Sequence, residues 1–171
     1  KMKVDNIDII GNVSKAYAYI GMKMGTWNKE KAVCEMFPDG GKFKDKALRH
    51  AIGYAMDNDG INDIYYHGLR ITANSFITPY HPGFYDVNRK GYSYNPEKAK
   101  QLLDEAGYKD IDGDGYRETP DGKPLKINFL FMSGAEIAEP MANYYIQNWK
   151  DVGLNVALND GRLIEFNAFY D

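Results

Sequence analysis

Residues 125–158, LKINFLFMSGAEIAEPMANYYIQNWKDVGLNVAL, decide the class of this fold. From Leu125 to Phe131 apolar residues alternate with others, which predicts a strand with one face in the core. Residues 137–149 carry apolar side chains at helical spacing, and residues 154–158 alternate again. A strand, a helix and a strand in this order allow parallel pairing through a crossover. We therefore predict an α/β fold, with a mixed sheet and helices packed on it.

Upstream of this unit the sequence predicts three helices. From Asp45 the apolar residues fall at i, i+3, i+4, i+7 and i+8, typical of an amphipathic helix over residues 45–56. A short helix is expected over residues 61–69. Asn95 as a cap, Pro96 at the first position and Gly107 at the end delimit the third helix.

The remaining segments give weaker signals. Residues 16–24 alternate with period two and predict a strand, whereas residues 26–42 contain turn residues without a period and predict a loop. Residues 70–94 are rich in Pro, Gly, Tyr and Asn, so we expect a long irregular crossing. A last helix is expected over residues 163–170.

The apolar faces of these elements predict one shared core. Its expected members are Leu48, Ile52, Leu102, Leu103, Ile127, Phe129, Met141, Tyr145, Trp149 and Val156. The sequence has no internal repeat and no linker, so residues 1–171 are expected to form a single domain.

Composition excludes several classes of protein. The chain has 171 residues, 44% of them hydrophobic, and a net charge of -3, so it can form a core but offers no basic excess for nucleic acid. Since no apolar run approaches the roughly 20 residues of a membrane helix, we expect a soluble polypeptide as given. The single Cys34, the scattered histidines and the absence of nucleophile, phosphate-loop and dinucleotide motifs predict no catalytic residues and no enzyme.

The stretch DIDGDGYRETPD, residues 110–121, has the spacing of a calcium-binding loop. Carboxylates at loop positions 1, 3 and 5, Gly at 6, a carbonyl at 7 and a carboxylate at 12 can surround a hard cation with oxygens. The candidate metal ligands are Asp110, Asp112, Asp114, Tyr116 and Asp121, and the expected cofactor is a structural Ca²⁺.

A second interpretation of this loop stays open. Asp121 is one methylene shorter than the usual Glu at position 12, and Pro120, Gly122 and Pro124 prevent an exiting helix. The loop could equally be a solvated Asp/Gly turn between a helix and a hairpin.

Several segments together resemble the solute-binding proteins of ABC importers for oligopeptides, family 5 of the extracellular solute-binding proteins. These segments are KFKDKALRHAIGYAMD at 42–57, YNPEKAKQLLDEAGY at 94–108, DGDG at 112–115 followed by DGKPL at 121–125, and WKDVGLNV at 149–156. Their form is most similar to the versions on Gram-positive cell surfaces.

The resemblance implies a type II periplasmic-binding-protein-like fold made of two lobes around a peptide cleft. The chain would be a fragment of the C-terminal lobe. The parent protein would be an extracytoplasmic, cell-surface lipoprotein that captures oligopeptides and delivers them to the permease subunits. Of the ligand contacts, the resemblance places only the region of Arg162 near the cleft. The alternative function is a self-standing, calcium-binding extracellular interaction domain.

Overall fold

The computed structural model describes residues 15–170 of the chain. Two single-turn 3-10 helices, Lys42–Lys44 and Asn159–Gly161, accompany nine larger elements in this part of the chain. These are β1 Gly25–Asn28, β2 Val33–Met36, α1 Lys46–Ala55, α2 Asn58–Tyr66, α3 Pro96–Glu105, β3 Lys126–Phe129, α4 Ala138–Lys150, β4 Asn155–Leu158 and α5 Phe166–Tyr170.

The predicted parallel pair is present. Strands β3 and β4 run parallel, with Ile127 opposite Val156 and Phe129 opposite Leu158, and α4 forms the crossover between them. Strands β1 and β2 form an antiparallel hairpin. The α/β prediction is therefore confirmed, although the parallel and antiparallel pairs lie in two separate sheets.

Helices α1 and α3 each start at a side-chain cap, of which the sequence predicted Asn95. The Asp45 carboxylate accepts a hydrogen bond from the amide of Ala47 at 2.8 Å, and Asn95 accepts from the amide of Lys98 at 2.9 Å. Each cap satisfies one of the amides that a helix start leaves unpaired. Gly107, with a φ of 86°, follows the end of α3.

The core lies between these helices and the parallel strands. The indole nitrogen of Trp149 donates to the carbonyl of Ile52 at 3.2 Å, and the ring of Phe129 meets the indole edge to face at 5.0 Å. Most of the predicted core is buried as expected, namely Leu48, Ile52, Leu103, Ile127, Phe129, Trp149 and Val156.

The core prediction was wrong for Leu102, Met141 and Tyr145, which are only half-buried. The Tyr145 hydroxyl donates to the side-chain oxygen of Asn58 at 2.9 Å, and the sulfur of Met141 accepts from the Tyr66 hydroxyl. A tyrosine with a polar partner stays at the edge of a core, because its hydroxyl needs a hydrogen bond.

Two segments differ from their predictions. Residues 16–24 form no strand, because alternation alone does not make one and no described strand pairs with them. Conversely, the predicted loop 26–42 contains most of the β1–β2 hairpin, which hydrogen bonds among its polar side chains support. The predicted last helix begins only at Phe166, since residue 164 pairs instead with the chain after β3.

The chain divides into two compact units, each with its own contacts. One consists, among the described residues, of 15–20 and Ala73–Gly91, and the other of Gly21–Thr72 with residues 92–170. In the first unit the Asn74 side chain donates to the carbonyls of Asp86 and Arg89. The irregular crossing over residues 70–94 is confirmed. In the part of the chain that is described, no helix has the length and apolar character needed to span a membrane.

Candidate functional site

The acidic loop connects the end of α3 to β3 and closes on itself. The amide of Glu118 donates to the carbonyl of Lys109 at 2.9 Å, so the two sides of the loop pair antiparallel at its base. Glu118 also pairs with Pro124 on its other side. The loop therefore projects from a small pinned base.

The carboxylates of this loop accept hydrogen bonds from the loop's own backbone. The two oxygens of Asp110 accept from the amides of Gly113 and Gly115, at 2.8 and 3.0 Å. Asp112 accepts from the amide of Asp114 at 3.2 Å. These are the local side-chain-to-backbone bonds by which Asp favours turns. Gly113 and Gly115 both have positive φ, at 81° and 89°, which glycine adopts without a steric penalty.

Three carboxylates of the loop converge. Oxygens of Asp110, Asp112 and Glu118 lie within 4.8 Å of one another. Glu118 is only 8% exposed, and its Oε2 accepts from the amide of Ile111 at 2.8 Å. Like charges at this separation repel, and a hard divalent cation that takes oxygen ligands would relieve the repulsion.

The other three predicted ligands lie outside this group. Asp114 accepts from the amide of Tyr116 at 2.7 Å. Asp121 accepts from the hydroxyl of Thr119 and pairs with the Lys123 ammonium, both at 2.6 Å. Hydrogen bonds from Lys123 and then from Thr119 lower the pKa of Asp121.

Sequence analysis missed Glu118 as a member of the cluster. A signal existed, because Glu118 occupies position 9 of the twelve-residue loop, a position that also contributes to calcium coordination. The antiparallel pairing at the base of the loop brings it beside Asp110 and Asp112.

Arg117 fixes the loop to the body of the unit. Its guanidinium donates to the carbonyls of Tyr108, at 2.7 Å, and Val152, at 3.0 Å, and forms an ion pair with Asp104. Its amide donates to the carbonyl of Gly153 at 2.8 Å. One side chain thus joins the loop to the ends of α3 and α4.

Arg162 lies at the carboxyl end of β4. The chain beyond β4 continues the parallel ladder, since the amide of Ile164 donates to Phe131 and the amide of Ser133 donates to Ile164. Arg162 itself is exposed and has an extended backbone. Arg162 therefore lies between the end of β4 and the bridge that pairs Ile164 with Met132.

Comparisons with known proteins agree on one family. Residues 3–167 match the sequence model of the bacterial extracellular solute-binding proteins, family 5 middle. Oligopeptide-binding protein OppA of Lactococcus lactis subsp. lactis is 40% identical over 129 residues, which cover 75% of this chain and 21% of that protein. The chain therefore spans about a fifth of the length of this relative.

Solved structures agree with the sequence comparisons. Lactococcal OppA, complexed with an endogenous peptide in the closed conformation, matches with a TM-score of 0.72 and 40% identity, over 76% of this chain and 24% of that one. Bacillus subtilis AppA, in complex with a nonapeptide, matches with a TM-score of 0.67 and 30% identity, over 75% and 25% of the two chains. Both are type II periplasmic binding proteins, which confirms the predicted fold class.

Proposed function

We propose that this chain is part of the oligopeptide-binding component of an ABC importer. The premise is that the chain belongs to family 5 of the bacterial extracellular solute-binding proteins. Its homologues are solute-binding transport proteins. The observation that carries the proposal is the match to lactococcal OppA in both sequence and structure. The matches support this function over a self-standing calcium-binding domain.

The peptide site would be shared with polypeptide outside residues 1–171. Because the chain spans 21% of OppA and 28% of AppA, it supplies only part of any cleft that such a protein forms. Binding would be non-covalent, and closure of two lobes on the peptide would be a shift of a hinge equilibrium. No catalytic step belongs to this function.

The contribution of this chain would come from the edge at the carboxyl ends of β3 and β4. Arg162 is exposed there, and its planar guanidinium suits a peptide carboxylate or carbonyl oxygen. We expect the Arg162 side chain to contact the bound peptide.

The family is extracellular, so the chain acts outside the cytoplasm. We further propose that a lipid on the parent protein holds it at the cell surface, as the resemblance to Gram-positive binding proteins implies. The partners of the parent protein at the cell surface would be the permease subunits that receive the peptide.

Peptide titration with the full-length protein that contains this chain tests the contact at Arg162. Substituting Arg162→Ala should weaken peptide affinity about tenfold or more, since a hydrogen bond to a charged group contributes roughly 1.5 to 3 kcal/mol. Lys150→Ala, which removes an exposed charge at the end of α4, serves as the control. Equal affinities for the two variants would remove Arg162 from the site.

We also propose that the acidic loop binds Ca²⁺ as a structural ion within the solute-binding protein. The support is the convergence of Asp110, Asp112 and the buried Glu118, together with the calcium-loop spacing. The proposed ligand set thereby includes Glu118, whereas Asp121 is held by Lys123. Its affinity is expected at a Kd on the order of 10⁻⁴ to 10⁻³ M, as in extracellular modules.

A further inference from the structure

The β1–β2 hairpin has one polar face. Thr26 lies opposite Glu35 on this face, and Asn28 lies two residues further along β1. The Asn28 amide and the Lys31 ammonium both donate to Glu35, at 3.0 and 2.9 Å. Val33 also lies on this face, across from Asn28, and is 45% exposed, so the face is mainly polar with one apolar side chain.

The opposite face is apolar and exposed. Trp27 lies directly across from Cys34, and Gly25 directly across from Met36. Trp27 is 58% exposed, Met36 is 57% exposed, and Cys34 is exposed too. We call Trp27, Cys34 and Met36 the hairpin face.

No described helix or strand makes extensive contact with the hairpin. A lone two-stranded hairpin is marginally stable in water, and packing against other structure is what normally stabilises it. Clustered exposed apolar side chains on an otherwise polar surface mark an interaction site. The two faces of the hairpin thus differ in the way expected when one faces solvent and the other faces protein.

We propose that the hairpin face is an intramolecular docking surface, covered by polypeptide of the same protein that lies outside residues 1–171. The relatives are about three and a half to five times as long as the segments matched here, which cover 21% of OppA and 28% of AppA. Polypeptide tethered in the same chain has an effective concentration in the millimolar range, which favours it over a second copy as occupant. The inference rests on the proposed function only in taking the chain as part of a longer protein.

Alkylation of Cys34 in the full-length protein tests this proposal. The protein is treated with N-ethylmaleimide, natively and in urea, and mass spectrometry of the peptide that contains Cys34 gives the rate. We expect native alkylation to be about tenfold slower or more than in urea, because a covered side chain reacts only through local opening.

A cysteine on the polar face provides the matched control. In the double variant Thr26→Cys/Cys34→Ser, the new thiol lies on the exposed polar side of the same strand pair. It should react at close to its rate in urea. Equal native protection factors at the two positions, whether large or small, would overturn the proposal.

Sedimentation and peptide affinity complete the test. Protection of Cys34 that requires a concentration-dependent dimer in sedimentation would overturn the intramolecular occupant in favour of a second copy. Peptide affinity measured on the same samples reports on the proposed function independently, so a reactive Cys34 in a protein that binds peptide contradicts only the docking surface.

Discussion

Two regions of the larger compact unit differ in how far their apolar side chains are buried. In the body, formed by α1, α3, α4, β3 and β4, Leu48, Leu103 and Leu154 are completely buried. In the β1–β2 hairpin, Trp27 and Met36 are more than half exposed. The difference lies in the partner elements, because the body packs together from several helices and strands, whereas no described helix or strand makes extensive contact with the hairpin. Among the described residues, the apolar contacts of the body are therefore complete and those of the hairpin are not.

The largest effect is expected in the body. Leu103→Ala removes a side chain with no exposed surface and should lower the free energy of unfolding by about 2 to 5 kcal/mol, through lost transfer energy and a cavity. Urea denaturation of the 171-residue chain measures it. Leu102→Ala, at a half-buried neighbour, is the control and should cost less. A cost at Leu102 equal to or above that at Leu103 would reverse the assignment of the buried face of α3.

The next effect concerns the connection between the loop and the body. Arg117→Ala should lower the free energy of unfolding by about 2 to 3 kcal/mol, because it leaves two carbonyls and Asp104 without their charged donor. Lys123→Ala removes only an exposed ion pair, which solvent screens, and should therefore lower the free energy of unfolding less than Arg117→Ala does. If both variants unfold at the same urea concentration, Arg117 does not join the two helix ends.

Calcium should stabilise the body by a smaller amount. At 10 mM Ca²⁺ the proposed Kd range gives about 1.4 to 2.7 kcal/mol of added stability. Calorimetric titration and melting in calcium against chelator measure binding and stability. Glu118→Gln should abolish the effect and Asp121→Asn should preserve it, since Asp121 lies outside the cluster. A flat titration, or the opposite response of the two variants, would reject this ligand set.

The smallest effect is expected in the hairpin. Trp27→Ser in the 171-residue chain should change the free energy of unfolding by about 0.5 kcal/mol or less, as for other exposed substitutions. The same substitution should lower the free energy of unfolding of the full-length protein by a larger amount. If Trp27→Ser lowered the free energy of unfolding of the 171-residue chain as much as Leu103→Ala does, the contrast between hairpin and body would be removed.

The body was largely predictable from sequence because its signals are local. Asp45 and Asn95 lie at the starts of α1 and α3. The apolar stripe that contains Leu48 identifies the buried face of α1. The parallel pair follows from a strand, a helix and a strand close together in the chain. Three residues departed from the expected core: Met141 and Tyr145, whose side chains have their own polar partners, and Leu102, which is half-buried beside the fully buried Leu103.

The hairpin and the exact acidic cluster were harder to predict because they depend on pairing. Trp27 and Cys34 share a face only once the register of β1 and β2 is known. Position 9 of the twelve-residue spacing makes Glu118 a candidate, but only the antiparallel pairing at the base of the loop shows that it lies beside Asp110. Spacing along the chain identified the acidic loop, whereas pairing across it decides which of its carboxylates converge.

The most direct test of the proposed function is fluorescence anisotropy with one labelled oligopeptide, titrated into the full-length protein and into the 171-residue chain. We expect the full-length protein to bind, because it would supply both walls of the cleft. A full-length Kd near micromolar corresponds to about 8 kcal/mol, and the loss of several charge-assisted bonds should bring the short chain to about millimolar or weaker. No binding of any oligopeptide by the full-length protein, or a short chain that binds within about tenfold of it, would contradict a peptide cleft shared between this chain and the rest of the protein.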